Sequence, residues 1–73
     1  MRIKIVFGDP SQSELLQDSL LEHGHKLGED FILERQTERF LEMMIQPNLF
    51  REINDLVKKS KDTFHGVSIE IED

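Results

Sequence analysis

Cysteine, tryptophan and tyrosine are all absent from this 73-residue chain, and five phenylalanines are its only large aromatic side chains. Without cysteine, disulfides and thiolate metal sites are excluded. A chain this short buries only roughly 60% of its unfolded surface, so it must draw stability from a well-packed core or a partner subunit. With no tryptophan or tyrosine there is little to stack on nucleic-acid bases. Long apolar runs are missing too: Ile5, Val6 and Phe7 form the first, far short of a signal-peptide core or a membrane span. Basic residues are the minority, 9 Lys and Arg against 15 Asp and Glu, for a formal charge of −6. Nucleic acid and anionic membranes are bound through basic surfaces, so neither is an expected partner. The charge suits solubility, a basic protein partner or mimicry of a polyanion. A soluble, cytoplasmic protein is expected, and the lack of cysteine fits an intracellular one.

What is present begins with the two ends. Arg2, Ile3, Lys4, Ile5, Val6 and Phe7 alternate polar and apolar, as do Val67, Ser68, Ile69, Glu70, Ile71 and Glu72. That is the period of a half-buried strand. Paired side by side, the two strands point Ile3, Ile5, Phe7, Val67, Ile69 and Ile71 into the core. Arg2 and Lys4 then face Glu70 and Glu72 across the ladder.

Between them the spacing predicts three helices. Residues 11–23 follow a capping turn in which Asp9 precedes Pro10, and Ser11 with Glu14 fits a capping box. Leu16 and Leu20 line its inner face, and Gly24 stops it. A second helix over residues 30–46 is predicted from Leu33, Thr37, Phe40, Leu41, Met44 and Ile45, with Pro47 ending it. The competing assignment is a strand at residues 30–36, because Phe31, Ile32 and Leu33 form a short apolar run. The third helix carries Leu49, Phe50, Ile53, Leu56 and Val57 as one stripe, with Lys58, Lys59 and Lys61 at its C-terminal end and a favourable Asp55–Lys59 pair.

The expected fold is therefore α+β, one small domain over residues 1–73. Its order is β-α-α-α-β, or β-α-β-α-α-β, with the N- and C-terminal strands paired in one small sheet and helices on one face. Two strands alone make a poor sheet, so completion comes from residues 30–36 or from a second copy.

No constellation carries catalysis. The turn Gly8, Asp9, Pro10, Ser11 joins a strand to a helix N-terminus, where phosphates bind in nucleotide folds. Pro10 removes a donor, Asp9 adds negative charge, and no G-x-G-x-x-G or Walker motif is present. His23 and His25 have a ligand-like spacing, with Glu22, Glu29 or Asp30 available to complete a shell, but four good ligands are hard to assemble without cysteine. His65 stands apart, and no nucleophile motif appears.

Residues 40–50 are the most apolar stretch, with seven large hydrophobes in eleven positions. This exceeds what one helical stripe buries, and paired methionines suit an adaptable interface. Phe40, Met43, Met44, Leu49 and Phe50 are the candidate protein-interface residues. Glu34, Glu38 and Glu42, four apart, form a candidate acidic row for nucleic-acid mimicry, and the acidic tail Glu70, Glu72 and Asp73 suits a basic partner. The expected protein is a small, acidic, non-enzymatic module that binds another protein as an adaptor, inhibitor or regulator and forms a homodimer, in the manner of small bacterial or phage regulators. It needs no cofactor and no metal. The alternatives are the acidic nucleic-acid mimic bound to a basic protein, and a small-ligand or metal-binding domain.

Overall fold

The computed structural model describes residues 1–60 and 62–72. It is an α+β fold of one four-stranded antiparallel sheet and two helices. The elements are β1 (Arg2–Val6), α1 (Gln12–Glu22), β2 (Phe31–Gln36), β3 (Phe40–Ile45), α2 (Pro47–Lys59) and β4 (Ser68–Ile71). Strand order across the sheet is β2-β3-β1-β4. Each βαβ unit thus has a strand of the other lying between its own two strands, the split βαβ or ferredoxin-like arrangement.

The expected pairing of the chain ends is present. β1 and β4 are antiparallel, with Ile3 opposite Ile71, Lys4 opposite Glu70 and Ile5 opposite Ile69. β1 is central, flanked on its other side by β3, where Ile3 meets Met43 and Ile5 meets Leu41. Alternation along the strands sends Ile3, Ile5, Phe31, Leu41, Met43 and Ile45 to one face. There they join Leu16 and Leu20 of α1 and Leu49 and Ile53 of α2 in a single core. Each fully buried aliphatic side chain contributes roughly 1.5–3 kcal/mol. Phe7 and Phe64 close one end, with ring centroids 6.3 Å apart. One inward expectation is corrected at the sheet edge: Val67 and Ile69 pack partly buried against the core, but Ile71 remains 54% exposed.

The predicted helix over residues 30–46 is not formed. A hairpin of β2 and β3 stands there, so residues 30–36 contain the strand that competed with the helix, and residues 40–45 a strand that spacing did not suggest. Thr37 makes the turn. Its amide donates to the Phe40 carbonyl at 2.9 Å, and its hydroxyl accepts from the amides of Arg39 and Phe40. A bulge between Leu33 and Arg35 inserts Glu34 as an extra residue. The sheet therefore reaches four strands within one chain, without a second copy.

The helix ends differ in detail. Ser11 is left-handed, φ 72°, and no side chain caps α1. The predicted capping fails because Asp9 Oδ2 instead accepts from Gln12 Nε2 at 3.3 Å, while that same nitrogen reaches the Thr63 carbonyl at 2.8 Å. The C-terminal end does follow expectation. Gly24, φ 89°, donates to the Leu21 carbonyl and His25 to that of Leu20, which satisfies two orphan carbonyls. Pro47 opens α2 at its first turn rather than closing a preceding helix. Asp55 and Lys59 form no ion pair among the described residues, and Lys61 lies outside those residues.

Candidate functional site

Both helices pack on one side, so the alternate residues of the sheet face away from them. β1 presents Arg2, Lys4 and Val6 there. β3 presents Phe40, Glu42 and Met44, β2 presents Ile32, and β4 presents Glu70. The bulge adds both Glu34 and Arg35 to this side.

Charges on the open face are positioned. Arg2 grips Glu34 with two hydrogen bonds, 2.7 Å from Nε and 3.1 Å from Nη2. Arg35 lies 3.7 Å from Glu42. Lys4 places its ammonium 4.9 Å from the Phe40 ring centroid, and the Arg35 guanidinium lies 5.6 Å from it. Ile32 and Met44 are direct cross-strand partners, 50% and 38% exposed. The face thus has apolar spots set among ordered ion pairs.

The candidate interface residues divide between two layers. Phe40 and Met44 reach the open face. Met43 and Leu49 are buried in the core, and Phe50 packs partly buried against it. Met43 is therefore corrected from an interface residue to a core residue, because period-2 geometry places successive methionines on opposite faces. The acidic row is dispersed as well. Glu34 is on β2 beside Arg2, Glu42 on β3 beside Arg35, and Glu38 in the hairpin turn, so helical spacing no longer aligns them. Arg2, Lys4, Ile32 and Arg35 complete the face and were not singled out as a site. Alternation marked Arg2 and Lys4 as outward, whereas Ile32 and Arg35 needed the bulge and register.

At the Gly8 turn, two of the backbone amides are already engaged within the fold. The Gly8 amide donates to the His65 carbonyl at 2.9 Å and the Ser11 amide to that of Glu38 at 3.2 Å. His25 Nε2 is hydrogen-bonded to Glu52 of α2, while His23 Nδ1 meets the Ser19 carbonyl at 2.7 Å. The two histidines border an open cleft of about 450 Å³ with Leu20, Glu52, Asp55 and Lys59. Its acidic partner is Glu52, brought close by helix packing, rather than Glu22, Glu29 or Asp30. Among the described residues, no group of three or more His, Cys, Asp or Glu side chains is placed to hold a metal ion, and no helix is long and apolar enough to cross a membrane.

Comparison of the chain with protein-family models, curated proteins and solved structures finds no match.

Proposed function

We propose that the protein is a small non-enzymatic interaction module, an adaptor, inhibitor or regulator that binds another protein through the open face of its sheet. The carrying observation is the exposed Ile32–Met44 pair on the face that neither helix covers. Apolar spots ringed by charged groups match the composition of a transient protein interface, with its apolar centre and polar rim. Adjoining exposed apolar side chains on a polar-rimmed face support this reading, since contiguous apolar surface is where protein contacts form. A shared fold says nothing about activity by itself, so the reading rests on this surface alone. A second copy, packed face to face, is the homodimeric form of the same contact.

The test places a photo-crosslinking amino acid at Ile32 or Met44, and at Leu21 on the helix layer as a control, in an extract of the source organism. Adducts from positions 32 and 44 but not 21 are expected, and an adduct of twice the chain mass identifies a second copy. Equal labelling from both layers, or none from the sheet face, overturns the proposal.

A further inference from the structure

We propose that the outer edge of β4 receives an extended segment of a partner protein in which apolar and cationic residues alternate. This rests on the interaction-module reading for there being a protein partner, and adds a second contact with its own chemistry.

The sheet has two edges, and they are built differently. β2 is a poor template: the bulge at Glu34 breaks its ladder, and Leu27 bridges to Phe31 at its start. β4 pairs with β1 alone, in unbroken register from Ser68 to Ile71, with no bulge, proline or lysine in the strand. The Glu72 amide donates to the Arg2 carbonyl at 2.9 Å. By the alternation of an antiparallel ladder, Glu70 and Ser68 also turn their backbone groups toward β1, and Ile69 and Ile71 turn theirs to the open edge. An added strand would bond there, as in strand addition to other sheet edges.

Side chains then select the strand. On the helix side the edge offers half-buried Ile69 and exposed Ile71. On the open side it offers Glu70, and Glu72 lies just beyond the strand. Among the described residues neither glutamate has an ion pair. Lys4 stands opposite Glu70 in register, yet its ammonium lies over the Phe40 ring. A strand bringing apolar residues beside Ile69 and Ile71 and cations beside Glu70 and Glu72 matches both rows. A second copy does not, because β4 and the residue after it carry two glutamates, Glu70 and Glu72, and no basic residue, and like charges across a ladder are unfavourable. The carboxylates that keep copies of this acidic chain apart are the ones that admit a cationic segment.

The probe is a short synthetic peptide alternating isoleucine with lysine, titrated into the full chain and followed by amide NMR. A matched isoleucine–glutamate peptide is the control. The lysine peptide is expected to shift the Ile69 and Ile71 amides and slow their hydrogen exchange, and the glutamate peptide to leave them unchanged. Ile71→Pro removes an amide that already points off the sheet, a position where an edge strand tolerates proline. It should weaken the lysine peptide about tenfold, the loss expected for one strand hydrogen bond. Glu70→Lys with Glu72→Lys should reverse the peptide preference, and an unchanged NMR fingerprint away from β4 shows the variants folded. Shifts confined to Ile32 and Met44 overturn edge pairing while favouring the open face. No shift with either peptide also overturns edge pairing, and leaves crosslinking from Met44 to decide the interaction-module reading separately.

Discussion

Adjacent methionines in β3 should behave as opposites. Met43 is wholly buried and Met44 is 38% exposed. Met43→Ala removes a side chain that meets Ile3 and Leu33 across the ladder and leaves a hole in the core, a change that costs about 2–5 kcal/mol. Met44→Ala removes a half-open contact with Ile32 and should cost about 0.5 kcal/mol or less, as surface substitutions do. Total stability sets the scale. At about 0.05–0.15 kcal/mol per residue, a chain of 73 residues has roughly 4–11 kcal/mol. The first variant therefore consumes a large share, and its melting temperature should fall by at least about 10 °C. The second should stay within a few degrees. Lacking tryptophan and tyrosine, the protein is best followed by far-ultraviolet circular dichroism during urea and thermal unfolding. Equal losses, or a larger loss at Met44, would refute the register of β3 and with it the composition of the open face.

Two further outcomes follow from local geometry. A Cβ on Gly8 would stand 2.5 Å from the His65 carbonyl oxygen and 3.2 Å from the Gly66 Cα, both backbone. Gly8→Ala should therefore cost about 1–3 kcal/mol through forced backbone shifts, visible as a lowered urea midpoint, and a neutral variant would show that the two loops are not in contact. A double-mutant cycle at Arg2 and Glu34, both partly exposed, should give a coupling of only about 0.2–1 kcal/mol. That coupling should shrink with added salt, and a larger, salt-independent value would contradict a solvated pair.

Much of this architecture is legible in the residues themselves. Alternation located both end strands, and their pairing followed from it. Leu49, Phe50, Ile53, Leu56 and Val57 marked α2, while Gly24 marked the end of α1. The hairpin was hidden for physical reasons. The inward set of β3 is Leu41, Met43 and Ile45, but the outward set includes Phe40 and Met44, so the strand shows no clean alternation. The bulge at Glu34 shifts the phase of β2. The turn at Thr37 is closed by a hydroxyl rather than by the glycine or asparagine that announces most hairpins. Pro47 carried an ambiguous signal, since proline is equally at home after one helix and in the first turn of the next. As for the open face, only Arg2 and Lys4 of β1 and Glu70 of β4 could be seen in the alternation of the end strands. The rest depended on which strand neighbours which, a property of the closed sheet.

The central place of β1 also orders events in time. It precedes both its neighbours in synthesis, yet Ile3 finds its cross-strand partners only at Met43 and Ile71. The β2–β3 hairpin and the two helices can form from nearby residues, but the middle of the sheet waits for almost the whole chain to be present. Joining such distant segments carries a closure entropy before any ladder bond rewards it. Folding should consequently be slower than in a helical protein of equal length, and a nascent chain cut short before β4 would hold β1 with one flank bare.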